Sequence, residues 1–166
     1  MAVLKICTYP EPVLRKKAKR VPGIDKKVRK LIDDMIDTLH EYHGVGLAAN
    51  QVGVPLRIVI IHEPEKELLV LVNPEVVKRE GERVVPEGCL SIPGYQGEVK
   101  RSEKVKVKAQ DRHGREIKIK GEELLGQALE HEIDHLNGVL YIDRLDGEGK
   151  LYKVTPEDQE KKEEES

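Results

Sequence analysis

Phenylalanine and tryptophan are absent from this chain of 166 residues, so five tyrosines supply its aromatic rings apart from histidine. A hydrophobic core must therefore be built mainly from aliphatic side chains, most of them branched, which fill space well. Two cysteines, Cys7 and Cys89, allow at most one disulfide. The first residues, MAVLKICTYP, lack the apolar run of an export signal, so we expect reduced cysteines and a cytoplasmic location.

A strong excess of either charge is also lacking, because 29 basic residues face 31 acidic ones and the formal net charge is -2. This balance gives no overall attraction to polyanions, so we expect no direct nucleic-acid partner. The longest purely aliphatic run covers residues 68–72, far short of the roughly 20 residues that cross a bilayer. We therefore expect no membrane partner.

Two segments have the apolar spacing of helices. The first covers residues 26–43, behind the capping residue Asp25 and before Gly44, which ends the run. The second covers residues 122–137, with Gly138 as its stop. The second helix is largely apolar on two adjacent faces, which predicts that sheets cover much of its circumference.

Short apolar or alternating runs predict strands, bounded by turn residues. These runs cover residues 56–62, 68–73, 105–109 and 117–119. The last two form a predicted hairpin around a turn at residues 111–114, whereas the first 24 residues are expected to be irregular around a short turn of helix. We expect a single domain over residues 1–155, and we expect the charged residues 156–166 to form a disordered tail.

The sequence HEIDH carries the strongest chemical signal. His131 and His135 lie four residues apart on the second helix, so both imidazoles can bind one ion. Glu132 lies one step around the helix, within reach of a water molecule on that ion. The alternative is two core histidines bonded to backbone and a buried acid with another partner.

A catalytic ion needs a third protein ligand, and Cys89 in the sequence EGCLS is the first candidate. A thiolate is a strong ligand for zinc or ferrous iron. The alternative for a single cysteine is a small buried apolar residue, which is how we interpret Cys7. The pattern HExxH alone is also the signature of zinc endopeptidases, whose third ligand lies further along the chain, where Asp143 is available.

The segment GVGLAANQ, residues 44–51, has the glycines of a helix stop and a turn. It lacks the lysine and hydroxyl residue of a phosphate-binding loop. What it offers is exposed backbone that can pair with an extended peptide, together with the side-chain amide of Gln51.

In this order and spacing, GVGLAANQ, EGCLS and HEIDH resemble the three signature motifs of peptide deformylases. The sequences EPVLR at residues 11–15 and LNG at residues 136–138 are also similar to that family, and the likeness covers about residues 4–145. The resemblance implies an α+β fold in which antiparallel sheets pack around a central helix carrying HExxH. It implies a hydrolase that removes the N-formyl group from the N-terminal formylmethionine of nascent polypeptides and releases formate.

The resemblance also implies the roles of the polar site residues. Cys89, His131 and His135 would bind one divalent metal, with Fe²⁺ as the natural ion and Zn²⁺, Ni²⁺ or Co²⁺ as other ions that this donor set accepts. Glu132 would act as general acid and base. The side-chain amide of Gln51 would stabilise the oxyanion.

Backbone groups have implied roles as well. The Leu90 N–H would share in stabilising the oxyanion, while Val45, Gly46 and Gly88 would pair with the substrate peptide as an added strand. Val45 and Leu90 would also contribute to an apolar pocket for the methionine side chain.

The implied partners are N-formyl-methionyl peptides and, transiently, the ribosome. Two positions differ from the family pattern: Glu130 replaces a more usual glutamine, and the acidic residues 156–166 replace the C-terminal helix of many bacterial members. Extra charge at Glu130 is expected to affect metal affinity or the pKa of a bound water. A deformylase-like protein that binds such peptides without turnover is the remaining alternative.

Overall fold

The computed structural model describes residues 2–147 and 149–154, so residues 156–166, predicted to be a disordered tail, lie outside the described part. Within it, the α-helices are α1, Lys26–Glu41, and α2, Glu123–Leu136. The strands are β1 Gly46–Ala48, β2 Ile58–Ile61, β3 Leu69–Glu80, β4 Arg83–Cys89, β5 Ile92–Arg101, β6 Lys104–Gln110, β7 Glu116–Glu122 and β8 Leu151–Lys153. Short 3₁₀ turns form at Pro12–Arg15, Ala49–Val52 and Tyr141–Arg144.

The strands form two antiparallel sheets. The larger has the order β1-β2-β3-β6-β7, and the smaller has the order β4-β5-β8. Each recorded strand pair is antiparallel. Strands β1 and β4 lie at sheet edges, so one side of each can pair with another extended chain. The α+β class with antiparallel sheets is confirmed.

Helix α1 begins where the sequence predicts, because the Asp25 side chain accepts a hydrogen bond from Val28 N–H at 2.9 Å. It ends at Glu41, two residues before the predicted end. His43 has a φ of 53°, and the Gly44 N–H donates to the Leu39 carbonyl at 3.1 Å, which closes the last turn. The apolar face of α1 packs on one side of the larger sheet.

Helix α2 is almost entirely buried after its first turn, as its two apolar faces predict. It contacts strands β1, β2, β3, β6 and β7 of the larger sheet. Leu129, Ile133 and Leu136 pack in one cluster with Val59 and Leu71. The buried positions of α2 include the polar residues Glu130, His131, Glu132, Asp134 and His135. Their burial requires partners for several charged groups.

The predicted hairpin is confirmed, with β6 and β7 joined by a turn in which Gly114 N–H donates to the Asp111 carbonyl. The predicted strand at residues 68–73 is longer in the structure, because β3 continues to Glu80. Its polar second half pairs with the lysine-rich β6, for example Glu80 with Lys104. Cys7 and Cys89 are free thiols. In the part of the chain described, no helix is long and apolar enough to cross a membrane.

Candidate metal centre and substrate cleft

Three ligand atoms converge where the end of β4 meets α2. The Nε2 of His135 lies 3.1 Å from the Nε2 of His131 and 3.3 Å from the Sγ of Cys89. A tetrahedral ion with ligand bonds of about 2.0–2.3 Å places its donors about 3.3–3.6 Å apart. The 3.3 Å distance agrees with this spacing, the 3.1 Å distance is slightly shorter, and all three donor atoms lie within 4.8 Å of one another. Among the described residues, this is the one group of three or more such side chains close enough to share an ion.

The orientation of His131 is set by Glu87. The Nδ1 of His131 is hydrogen-bonded to the Glu87 carboxylate, which leaves Nε2 facing the other two donors. Burial alone would raise the pKa of Glu87, but hydrogen bonds from His131 and Arg101 lower it to about 2. Glu87 is therefore a carboxylate at neutral pH and can hold the imidazole in place.

A buried ion-pair network continues behind this pair. Arg101 donates to Glu87 at 2.5 and 3.0 Å and to Asp134 at 2.7 Å. Asp134 also accepts two hydrogen bonds from Arg144, at 2.6 and 3.0 Å. Buried charges are costly unless paired in this way, and the pairing fixes the strand β4 relative to α2.

The second imidazole is suited to bind a cation. Burial, with the adjacent His131, holds the pKa of His135 well below its ordinary value. A neutral imidazole keeps a lone pair for a metal, whereas an imidazolium does not. His135 Nε2 lies within 3.3 Å of both Cys89 Sγ and His131 Nε2, so it can share an ion with both.

The Glu132 carboxylate is buried beside this group and against strand β1. Burial raises the pKa of Glu132 to about 7, and its Oε1 has no hydrogen-bond partner among the described residues. An acid in this state is poised to accept or donate a proton near neutral pH. Gly46 provides the space, because a Cβ there would lie 2.5 Å from Glu132 Oε2.

Gln51 is held with its amide group facing the same centre. Its Oε1 accepts from Ala48 N–H at 3.0 Å, while its Nε2 donates to Ser91 Oγ at 3.0 Å and approaches Cys89 Sγ at 3.5 Å. The 3₁₀ turn Ala49–Val52 is therefore tied to the end of β4. The side-chain N–H groups of Gln51 face Ser91 and Cys89 rather than solvent, and Gln51 is 1% exposed.

A cleft of about 750 Å³ opens onto these side chains. Every residue expected to bind substrate or stabilise charge borders it: Val45, Gly46, Gln51, Gly88, Leu90 and Glu132. Of the three donors, Cys89 and His131 also border the cleft, and His135 lies behind them, with 1% of its surface exposed.

The sequence did not reveal several residues of this site. Glu87, Arg101 and Asp134 were not singled out, although Asp134 lies inside HEIDH and Glu87 inside EGCLS. The position of Glu87 and Asp134 inside those motifs is a signal that could have found them, whereas Arg101 lies outside the motifs and had none. Tyr95 and Leu124, which border the cleft with 41% and 43% of their surface exposed, had no signal in the sequence.

Two other acids lie elsewhere. Asp143 pairs with Arg15 at 2.5 Å and accepts from Leu140 N–H, and it is not part of the three-donor group. Glu130 accepts from Ser102 N–H at 2.6 Å and from Arg79 at 3.1 Å. Glu130 is thus bound to the larger sheet and does not border the cleft.

Comparison with known proteins gives a consistent result. The model of the family described as polypeptide deformylase matches residues 3–150. A peptide deformylase of Dehalococcoides mccartyi strain CBDB1 is 57% identical over 160 residues, which is 96% of this chain and 96% of that protein.

Solved structures agree with this match. A crystal structure of a peptide deformylase from Legionella pneumophila has a TM-score of 0.84 and 44% identity, covering 98% of this chain and 92% of that one. The peptide deformylase structure from Thermotoga maritima has a TM-score of 0.85 and 38% identity, covering 89% of this chain and all of that one. Both the sequence and the fold of this chain therefore match those of peptide deformylases. The chain belongs to the peptide deformylase family.

Proposed function

We propose that this chain hydrolyses the formyl amide of N-terminal formylmethionine on nascent polypeptides, releasing formate, and that it needs one divalent metal ion. The observation that carries this proposal is the convergence of Cys89, His131 and His135 beside the unpartnered Glu132 carboxylate. These three side chains would hold the ion as a thiolate and two neutral imidazoles. An ion held there would supply Lewis acidity to a water molecule and to the formyl carbonyl.

The chain's own groups have separate tasks in the reaction. Glu132 takes a proton from the attacking water and returns it to the departing amine, which frees the N-terminus. The Gln51 amide and the Leu90 N–H donate hydrogen bonds to the oxygen on which negative charge develops. The 3.5 Å distance between Gln51 Nε2 and Cys89 Sγ supports this role, because it brings a hydrogen-bond donor close to the proposed metal ligands.

The substrate peptide is proposed to bind as an extended strand. Val45 and Gly46 at the edge strand β1 and Gly88 at the edge strand β4 both border the cleft, so backbone groups from two sheets are available to it. Leu90 and Val45 provide apolar surface for the methionine side chain. In this arrangement α2, with HEIDH, is the central helix of a single domain covering residues 1–155.

Ferrous iron is our proposal for the native ion, because the resemblance to peptide deformylases implies it. The mixed nitrogen and sulfur donors would also accept zinc, nickel or cobalt. The family's formyl-peptide substrates also support a cytoplasmic location and a transient contact with the ribosome. Anaerobic purification followed by metal analysis of the protein tests the identity of the ion.

The reaction itself is tested with formyl-Met-Ala-Ser and with an unstructured protein as separate substrates. We expect stoichiometric formate from the tripeptide and no new internal ends in the protein. Internal cleavage without formate would assign the chain to the endopeptidases that share HExxH. Metal-loaded protein that binds the peptide but releases no formate would show a binding protein without turnover.

A further inference from the structure

A strongly basic segment lies outside the site described so far. Residues 15–20, RKKAKR, contain five basic residues in six positions. The segment is held to the body of the molecule by its backbone: Ala18 N–H donates to the Leu136 carbonyl at 2.7 Å, and Lys19 N–H donates to the Pro55 carbonyl at 2.8 Å. Its side chains therefore extend from a fixed backbone, which lowers the entropy lost when they bind a ligand.

This segment forms one wall of a second cleft, of about 550 Å³. Its cationic lining residues are Lys17, Arg20, Arg57 and Arg79. Its acidic lining residue is Glu75, and Asn73 and Asn137 add polar groups. The two clefts share no lining residue, so a ligand in the basic cleft leaves the substrate cleft open.

Three of the four cations have no carboxylate partner among the described residues. Arg79 pairs with Glu130, but no ion pair is formed by Lys17, Arg20 or Arg57. Exposed cations without partners are common, so the concentration of three in one concave surface is the relevant fact. It creates a local positive potential on a chain whose net charge is -2.

Arg57 is the best-positioned of these cations. Its guanidinium donates to the carbonyls of Ala18 and Leu136 and to Asn137 Oδ1, at 3.1–3.3 Å. These bonds use three of its five N–H groups, so two remain for a ligand. Burial lowers the pKa of Arg57 below its ordinary value, and no described carboxylate counters that loss of hydration. An anion in the cleft would do so.

The other lysine-rich surface of the protein is different. On the exposed face of β3, β6 and β7, several lysines lie beside glutamates, and Lys104 pairs with Glu122 and Lys108 with Glu116. The basic cleft is lined by four cationic residues and one acidic residue, whereas a smaller cleft on this mixed face is lined by four lysines and two glutamates. The excess of positive over negative charge is therefore larger in the basic cleft.

We propose that the basic cleft binds the phosphate groups of an RNA backbone. Guanidinium groups match phosphate oxygens in pairs, and several cations along a groove fit a chain of phosphates better than one small anion. A concave site fits a strand better than it fits a flat membrane. The choice of RNA rests on the proposed function, since nascent polypeptides are made on an RNA-rich particle. The expectation of no nucleic-acid partner came from net charge, which does not report a local cluster.

The test is fluorescence anisotropy of a labelled single-stranded RNA of mixed sequence across a KCl series. Three phosphate contacts predict a slope of log K against log salt of about -2, and the variant Lys17→Gln/Arg20→Gln should leave a slope of about -0.7. Its affinity in low salt should fall about tenfold or more. The matched control is Lys106→Gln/Lys120→Gln, which removes the same charge from the mixed face and should change affinity less than about twofold.

Both variants should release formate from formyl-Met-Ala-Ser at the wild-type rate, which shows that they are folded and separates this test from that of the proposed function. An RNA affinity of the wild type that does not depend on salt would overturn the proposal. Equal losses in the two variants would also overturn it, because they would indicate a non-specific charge effect. Tighter binding to phosphatidylglycerol vesicles, lost in the cleft variant, would assign the cleft to a membrane surface instead.

Discussion

Gly46 and Glu132 are packed so closely that a methyl group on Gly46 would lie 2.5 Å from Glu132 Oε2 and 2.9 Å from its Cγ and Cδ. Gly46 is the first residue of the edge strand β1, and Glu132 lies on α2 beside the metal ligands. The absence of a side chain at residue 46 therefore determines where the proposed catalytic carboxylate can lie. Gly46 is not among the residues with positive φ, so its backbone conformation does not require a glycine. The reason for the glycine is instead the close approach of the Glu132 side chain to its backbone.

Gly46→Ala should reduce turnover without removing the metal. The added methyl group forces the Glu132 carboxylate to move, and a displacement of about 1 Å in a catalytic group costs about 10²-fold in rate. The measurement is kcat on formyl-Met-Ala-Ser together with the metal content per chain. Gly23→Ala is the control, because no atom lies within 4 Å of the added carbon. A variant at residue 46 with wild-type kcat would show that Glu132 need not lie there.

Glu132→Gln should separate catalysis from metal binding. The amide keeps the shape of the side chain and leaves the three ligands in place, so about one metal per chain should remain. It cannot accept the proton of water, so turnover should fall by about 10²–10⁴-fold. Formate release and metal analysis on the same preparation check both parts. Near wild-type activity with the metal retained would remove Glu132 from the mechanism.

Loss of a single ligand should abolish metal binding. His135→Ala and Cys89→Ala each leave two donors, which rarely hold a divalent ion, so metal content and activity should fall together. Cys7→Ala is the control for removal of a thiol, because Cys7 is not part of the three-donor group. Metal content near one per chain in both ligand variants would mean that the ion is held elsewhere.

Asp34 should make a pH-dependent contribution to stability. The hydrogen bond from Lys30 lowers the pKa of this buried carboxylate below 3.8, and Ala2 N–H adds to the effect against the opposing influence of burial. A lowered folded-state pKa stabilises the fold above the ordinary value, and this stabilisation is lost as pH falls through the folded-state pKa.

Asp34→Asn should therefore lower the free energy of unfolding by about 1 kcal/mol at neutral pH. The effect is small because Lys30 is exposed and solvent screens its interaction with Asp34. The difference from wild type should shrink as the pH falls below the ordinary pKa of 3.8 and through the lowered folded-state pKa of Asp34. Urea unfolding of both proteins at a series of pH values measures it. Asp37→Asn, at a residue with no ion pair among those described, is the control. A difference that stays constant with pH would contradict the assignment.

The parts of the fold that the sequence predicted are those determined by local patterns. The two helices follow from apolar periodicity and, for α1, from capping by Asp25. The hairpin of β6 and β7 follows from alternation and a turn at Asp111. The convergence of Cys89, His131 and His135 was also predictable, because the two histidines lie on one helix and Cys89 belongs to a motif that resembles the same family.

Strands β4, β5 and β8 were not predicted, and the reason is non-local. Residues 83–101 contain Pro86, Pro93 and Gly97, and their burial alternates only partly, so no run of apolar residues indicates a strand. The strands form because β4 pairs with β5, and because β8, near the end of the described chain, pairs with β5 as the second edge strand of the sheet. The partners of Glu87 depend on that pairing as well.

The three proposed metal ligands come from two segments far apart in the chain, since 46 positions separate Cys89 from His135. The unfolded chain offers only the two imidazoles of one segment, so ligation by all three donors is linked to folding by mass action. An ion present at a thousand times its dissociation constant adds about 4 kcal/mol to the stability of the folded state. If the proposed site binds its ion, the population of unfolded chains should follow the concentration of free metal in the surroundings, and the lifetime of the protein should depend on metal supply as well as on sequence.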